Sequence, residues 1–446
     1  MKTREIIKTA ALAALATATG AGVAAAQSAP PPPPPSVTTA WNGAPETREE
    51  DRRFHVSGRF MYDIASTDAD WAGPTGGAYE SGIRSYARRA FIGVDGRLTT
   101  HWRYNVKFDV TFGSAQDGAA SSANNRITLK ADDLYLEYAG DWGSVFVGNG
   151  NWVSPMEDRD SSLNIPFNER SFLITAAGFG KKPGVGFLTN GGNWSLGAAV
   201  QSSDGLDISD NAANGGEPYF LIARGTWAPI YQQTPDGVTV VGFGLSARHR
   251  DRSSHLNSAF SYSPGALSNK ASNNAGVGAG ESDNWIGAEF VAQYNAFAMD
   301  AEYGRLSTTR VPGSAVQAAD ADATGYYVDF FYALTGESRR YSAADGSHGA
   351  WAPRRTLGSD GGIGALILSA RYEDLDLTDA GFANASATAD RRNDTSAWTA
   401  GATWVPIGHV KFQLNYSSTD INYVINDTGH RDNTINAITL RSQFDW

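Results

Sequence analysis

The sequence predicts an all-β fold, a 16-stranded antiparallel transmembrane β-barrel with a long third loop folded into the lumen. Three observations predict it. Period-2 alternation recurs along nearly the whole chain, in segments that mostly run about 9 to 11 residues, the length a tilted strand needs to cross a bilayer. The connections alternate between short turns and long polar loops, a sorting that outer-membrane barrels show and a secreted sandwich has no reason to adopt. One stretch, Asn149–Pro183, interrupts the alternation for far longer than an ordinary β connection of about 2 to 5 residues.

Taken in order, the chain opens with Lys2, Arg4 and Lys8, an Ala/Leu-rich run over 9–23, and Ala24-Ala25-Ala26 before Gln27. This is the pattern of a secretory signal peptide over 1–26 with an A-x-A cleavage site. The apolar run is broken by Thr17, Thr19 and Gly20, and a spanning helix needs ~20 apolar residues. Residues 27–52 are expected to form a Pro-rich linker. Six consecutive prolines start at Pro30 and favour a polyproline II spacer rising ~3.1 Å per residue. The barrel is expected over 53–446.

From Phe54 one face carries Phe54, Val56, Gly58, Phe60 and Tyr62, and the other His55, Ser57, Arg59, Met61 and Asp63. Over 102–112, Trp102, Tyr104, Val106, Phe108, Val110 and Phe112 alternate with Arg103, Asn105, Lys107, Asp109 and Thr111. Further strands are expected near 88–97, 128–138, 144–149, 184–190, 193–201, 218–227, 238–248, 285–294, 297–305, 325–333, 363–373, 396–404, 409–418 and 434–446. The last ends on an aromatic: Ile438, Leu440, Ser442, Phe444 and Trp446 share its outer face. Short connections fall at 98–101, 139–143, 191–192, 295–296 and 405–408, and long ones at 64–87, 113–127, 250–284, 306–324 and 374–395. Trp102, Tyr138, Trp404 and Tyr416 are placed at strand ends, where interfacial aromatics sit.

The composition fits strands and turns: 49 Gly, 20 Phe, 18 Tyr and 12 Trp. With no cysteine, disulfides and thiolate chemistry are excluded, and closing the sheet on itself is one other device for an exported chain. A formal net charge of −11 makes nucleic acid a poor partner. Seven histidines form no H-E-x-x-H, and no nucleophile elbow, P-loop or dinucleotide fingerprint is present, so no enzyme activity and no cofactor are expected.

The blocks RSYARRAFIGVDG (84–96), HWRYNVKFDV (101–110), DLYLEYAG (133–140), SSLNIPFNERSF (161–172), GYYVDFFYALTGESRRY (325–341) and AWTAGATW (397–404) resemble the phosphate-selective porin O and P family. The resemblance runs from about Arg53 to Trp446, and it implies a Gram-negative outer-membrane barrel, usually homotrimeric, with a lumenal third loop and basic residues guiding small anionic solutes such as oxyanions.

Strand parity and the resemblance together nominate the pathway. Arg248, Arg250 and Arg252 share one face and would project guanidiniums at ~6.6 Å intervals along a strand rising ~3.3 Å per residue, resembling the family's arginine ladder. Guanidinium binds oxyanions bidentately and stays charged. Arg88 and Arg89 match the family's paired arginines, with Arg89 expected inward and Arg88 at the rim. Arg103 and Lys107 face the lumen, and Lys107 is placed to pair with Asp109. In the constriction loop stand Glu157, Asp158, Arg159, Ser161, Ser162, Glu169, Arg170, Lys181 and Lys182. Glu169-Arg170 matches the family and is expected to tie the loop to the wall. Asp158 and Leu163 occupy places where phosphate-selective relatives carry lysine, and Arg159 partly compensates. The leading reading is an anion-passing channel. The alternatives are a general or weakly cation-selective channel, a structural barrel linked by its prolines to a periplasmic partner, and a secreted β-sandwich.

Overall fold

Alternation with one apolar and one polar face closes this sheet into a cylinder, because lipid demands the first face outward and leaves the second inside. The computed structural model describes residues 38–41, 44–69, 82–112, 127–202, 219–235, 237–251, 257–262, 273–310, 320–358, 361–377, 394–425 and 429–446. The signal peptide and the proline run lie outside the described residues.

The barrel strands are β1 (Arg52–Ala69), β2 (Gly82–Arg97), β3 (Trp102–Phe112), β4 (Ile127–Gly140), β5 (Gly143–Gly150), β6 (Lys182–Asn190), β7 (Trp194–Ser202) and β8 (Tyr219–Thr234). They continue as β9 (Gly237–Asp251), β10 (Asn273–Tyr294), β11 (Phe297–Arg310), β12 (Ala321–Ala333), β13 (Ala365–Asp376), β14 (Asp394–Ile407), β15 (Val410–Ile425) and β16 (Gly429–Asp445). Each pairs antiparallel with the next, and β16 returns to β1 with Phe444 opposite Phe60 and Arg441 opposite Asp63, giving a closed 16-stranded barrel. Each expected strand has its counterpart, mostly longer at the loop end. The largest extension is β10, whose N-terminal part pairs with a strand the sequence did not announce, Asn257–Tyr262. The Gly/Asn-rich sequence there has no apolar period to read.

The linker boundary also moves. Thr38–Trp41 and Pro45–Glu49 form successive antiparallel strands, the second pairing with the start of β1 through Glu46 opposite His55. The described pairing with β16 explains the position. Trp446 exchanges both backbone hydrogen bonds with Gly58 at 3.0 Å, and the described residues of β16 leave the first residues of β1 with a bare edge. Pro45–Glu49 covers it, as an unpaired edge requires.

Outward residues are apolar, with Leu245 and Ile286 each 67% exposed. At the short-turn end the outward side chains are aromatic: Trp102, Trp142, Trp194, Tyr294, Phe297, Tyr332, Trp404, Phe412 and Phe444. Trp102 meets Tyr138 edge-on at 5.1 Å. This is the girdle expected where hydrocarbon gives way to headgroups. Tyr416 departs from expectation, standing well inside β15 with its hydroxyl on Asn436. The inward face is polar and buried, with Arg224, Glu289, Asp300, Glu302, Asp329, Arg371 and Arg441 among its residues.

At the short-turn end one connection breaks the sorting by length. Between β12 and β13, at the end where the other turns are short, runs the segment 334–364, which carries the two-residue strands Tyr341–Ser342 and Ser347–His348.

Candidate permeation site

The stretch that interrupts the alternation contains two short helices, α1 (Met156–Arg159) and α2 (Phe172–Ala177), and its strand boundaries tighten to a loop over 151–181. Ser171 caps α2 by accepting from the Ile174 amide at 3.3 Å, and Gly178 ends it in the left-handed region at φ 62°, where glycine has no Cβ penalty. The loop's apolar side chains are seated on buried residues in four places. Trp152 stacks on Phe146 at 5.3 Å. Phe179 meets Trp285 edge-on at 5.2 Å, and the Trp285 indole lies so close over Gly304 that no side chain would fit between them. Phe167 packs on Phe331 at 5.9 Å, while Met156 joins Val240, Val291 and Tyr341.

Charged anchors complete the seating. Glu157 accepts from Arg371 at 2.6 Å and from the Ser171 amide and hydroxyl at 2.8 and 2.6 Å. Arg371 also grips Asp329 through two bonds of 2.7 Å, and its guanidinium lies 4.4 Å from the Phe167 ring centre and 4.7 Å from that of Tyr327. The Glu157 amide donates to Glu302, and the Phe172 amide to Glu373, both at 2.7 Å. Lys181 reaches Asp132 and Asp133 at 2.6 and 2.8 Å. Asp160 and Arg159 instead reach the segment 334–364, through Arg339 and His348 in one case and Asp345 in the other.

Glu169 holds the loop to the other side of the barrel, accepting both bonds of the Arg88 fork at 2.5 and 2.6 Å. Burial pushes this carboxyl up, but the charge and hydrogen bonds of Arg88, with Arg441 behind them, outweigh it and hold it at about 2. A depressed carboxyl contributes stability that is complete above its ordinary value of about 4.5 and is lost as pH falls toward 2. Single-channel records should therefore stay steady down to about pH 4.5 and become noisy or change level between there and pH 2. Glu169→Gln should remove that transition.

A cavity of about 520 Å³ lies between the loop and the inner face of β1–β4, with Arg59, Arg89, Lys107, Arg159, Arg170 and Lys181 on its walls beside Asp132, Asp133, Asp158 and Asp160. Several of these charges neutralise one another, and the hydrogen bonding shows which do not. Lys107 stands 3.9 Å from Asp133, and Lys181 is held between Asp132 and Asp133. Among the described residues Arg59 donates only to the Ser161 and Ser162 hydroxyls, at 3.4 and 2.9 Å, and lies 4.0 Å from the Phe91 ring centre. Arg170 donates only to the carbonyls of Glu157, Asp158 and Asp160. Arg89 lines the same cavity, and among the described residues no carboxylate is bonded to it. Among those residues three guanidiniums thus face the space without an acidic partner. Below, toward the short-turn end, a cavity of about 350 Å³ shares Leu163 and Asp445 with this one. A further vestibule of about 370 Å³ is edged by Arg48, Arg53, Arg97 and Arg103.

The expected residues divide accordingly. Arg88, expected at the rim, points inward. The pairing of β1 with β2 shifts between Met61 and Tyr62, opposite Arg89 and Ala87, and the extra residue of that bulge is Arg88, re-aimed as bulges do. Lys107 pairs with Asp133 and not with Asp109, because β3 and β4 also shift register between Val106 and Phe108. Arg103 belongs to the lower vestibule, 3.4 Å from Glu137. The expected ladder is the clearest correction. Arg248 is buried, donating to Asp283 at 3.2 Å and to the Ala177 carbonyl at the end of α2 at 2.8 Å, while Arg250 also bonds Asp283 through its Nε at 2.6 Å. Asp283 sits directly across the sheet from Arg250, and a carboxylate on the neighbouring strand turns a relay of free charges into an anchor. Arg252 lies outside the described residues. Lys182 begins β6, and its carbonyl accepts from Gln201. Asp158 accepts from the Gly180 amide at 3.3 Å. Glu157 and Asp160 are buried anchors. Strand parity put Arg59 on the inner face beside Ser57, which was the signal for it. Nothing in the sequence singled out Arg224, Arg339 or Arg371.

A family model described as phosphate-selective porin O and P matches residues 54–446. Porin O of Pseudomonas aeruginosa is 23% identical over 415 residues, covering 86% of this chain and 87% of that protein. An uncharacterised protein of Caulobacter vibrioides is 27% identical over 418 residues, 91% of this chain and 76% of its own length. Among solved structures, OmpT, an outer membrane protein of Vibrio cholerae, superposes with a TM-score of 0.52 at 9% identity over 90% of this chain and 99% of that one, a likeness of fold alone. The match to the family across the barrel, on a closed 16-stranded cylinder with a lipid-facing belt, makes this chain a member of the phosphate-selective porin O and P family and an outer-membrane porin.

Proposed function

We propose that this porin passes small anions, phosphate or related oxyanions among them, by facilitated diffusion through the 520 Å³ cavity, with the loop 151–181 folded into the lumen as its narrowing. The observation that carries this reading is the set of Arg59, Arg89 and Arg170, all three without a carboxylate partner among the described residues and all on one cavity. A narrow passage answers to the few charges that line it and not to net charge. Guanidiniums whose forks are open can take an oxyanion in the two-pronged geometry they prefer. The lumenal position of the loop is supported by its bonds to inward side chains on walls as separate as Arg88 on β2, Glu302 on β11, Glu373 on β13 and Asn415 on β15.

The cation-selective alternative rested on Glu157, Asp158 and Asp160. Glu157 is bonded to Arg371, and Asp160 to Arg339 and His348, which removes much of its basis. The assembly we propose is a homotrimer, the form recorded for the Vibrio cholerae protein. Purified porin in a planar bilayer under a salt gradient should give a reversal potential of the anion-selective sign, and millimolar phosphate should reduce the chloride current. Cation preference would reject the reading, and chloride current indifferent to phosphate would reject oxyanion binding.

A further inference from the structure

The loop 151–181 meets the segment 334–364 at a buried cluster that neither the family match nor the anion reading explains. His348 is buried, its Nδ1 2.9 Å from Asp160 and its Nε2 3.5 Å from Asp300 on β11. Its amide donates to the other Asp160 oxygen at 2.7 Å. Arg339 bonds the same two carboxylates, Asp300 at 2.6 Å and Asp160 at 3.2 Å. The Tyr341 ring packs on the imidazole at 5.3 Å, and Arg159 pairs with Asp345 at 2.9 Å beside it. Two carboxylates therefore face one guanidinium and one imidazole. With the imidazole charged the four groups balance, and with it neutral one negative charge is left over.

That charge is coupled to the passage. Asp160 borders the 520 Å³ cavity, and its backbone carbonyl accepts from Arg170 at 2.8 Å, one of the three open guanidiniums. Asp160 thus joins the imidazole on one side to a pathway cation on the other.

We propose that His348, acting through Asp160, is a specificity-determining residue of this channel, so that anion preference is greatest while the imidazole is charged and weakens as it loses its proton. Imidazole is the side chain that ordinarily changes charge between pH 5 and 8. Burial pushes the Asp160 carboxyl up, but the charged imidazole of His348 and the Arg339 guanidinium outweigh this and keep it below the ordinary range; Arg339 still faces it when the imidazole is neutral. Loss of the imidazole proton then leaves Asp160 undercompensated next to the anion path and loosens the tether that holds Arg170. A neutral histidine serving only as a buried hydrogen-bond donor would produce no such dependence.

The proposal rests on the anion-channel reading, and the test separates the two. Reversal potentials are measured in a salt gradient at pH 5.5 and 8.5 for the wild-type channel, His348→Gln and Asp160→Asn. Wild type is expected to lose about threefold to tenfold in anion-over-cation permeability at the higher pH, as expected for one unit charge near a narrow passage. His348→Gln should be low and nearly flat, and Asp160→Asn high and nearly flat. A wild-type ratio that does not change with pH overturns the proposal without any variant, and so does a His348→Gln channel that keeps the wild-type slope. A wild-type channel preferring cations at both pH values sinks the anion reading instead, while the slope and its loss in His348→Gln still decide the role of His348.

Discussion

Replacing Arg371 by methionine is expected to free the constriction loop, raising single-channel conductance and lowering the temperature at which the folded barrel loses its fast gel mobility. Arg371 lies on β13 and holds Asp329 with two bonds of 2.7 Å and Glu157 with one of 2.6 Å. All three side chains are buried. Removing the cation leaves two carboxylates facing each other in a low-dielectric site, and breaking such a buried pair costs about 3 to 5 kcal/mol. Methionine keeps most of the volume, so the loss is electrostatic and not a cavity. The Glu157 end is the weaker attachment, because Asp329 is fixed in the sheet while Glu157 sits on a helix of four residues. The loop is therefore expected to yield before the wall does. Arg371→Lys should fall between wild type and Arg371→Met, since one ammonium keeps the charge but cannot fork to both partners. Unchanged conductance in Arg371→Met would show that the apolar seats of Trp152, Phe167 and Phe179 position the loop unaided.

Arg89→Ala is expected to have the largest effect on selectivity, lowering the anion-over-cation permeability ratio about tenfold, while Arg250→Ala changes it less than twofold. The contrast comes from pairing. A unit charge ~8 Å from a permeating ion at an effective dielectric of ~20 contributes about 2 kcal/mol, but only if it is not already neutralised. Arg89 borders the 520 Å³ cavity with no carboxylate bonded to it, whereas Arg250 shares Asp283 with Arg248. Arg59→Ala should resemble Arg89→Ala, with an added structural cost because Ser161 and Ser162 lose their donor. Reversal potentials in a salt gradient measure all three. Equal effects of Arg89→Ala and Arg250→Ala would mean that the pathway follows the β9 strand, and the cavity along β1–β4 would then not be the route.

The loop's seating explains why the 520 Å³ cavity lies along one wall and not another. The loop buries Phe172, Leu173, Ile174 and Phe179 in one cluster with Phe220, Ile222, Trp285, Leu306, Tyr327 and Leu375. Burying that much apolar side chain, at roughly 1.5 to 3 kcal/mol each, draws the loop against β8–β13. The opposite inner face, along β1–β4, offers Arg59, Arg89, Lys107 and Asp132, with Tyr135 on β4 meeting the loop through Trp152 at 5.7 Å. The 334–364 segment closes the remaining space from the short-turn end, with Trp351 packed among Phe331, Ala365 and Ile367 and Arg224 holding the carbonyls of Asp345 and Gly346 at 2.7 and 2.8 Å.

Strand number, the lipid-facing and lumen-facing sides of most strands and the position along the chain of the interrupting loop follow from the sequence alone. Each is set by a local period, because alternate side chains must face lipid and lumen, and a window of ten residues shows it. Which charges remain open is decided only in three dimensions. Asp283 neutralises Arg250 from the neighbouring strand, Arg371 meets Glu157 across the barrel from a position far along the chain, and bulges at Arg88 and Lys107 turn side chains that strict alternation misplaces. Even the inward course of the segment 334–364, which opens LTGESRR, carries no period to declare where it goes. Pairing depends on register and on contacts between residues distant in sequence, and periodicity is blind to both.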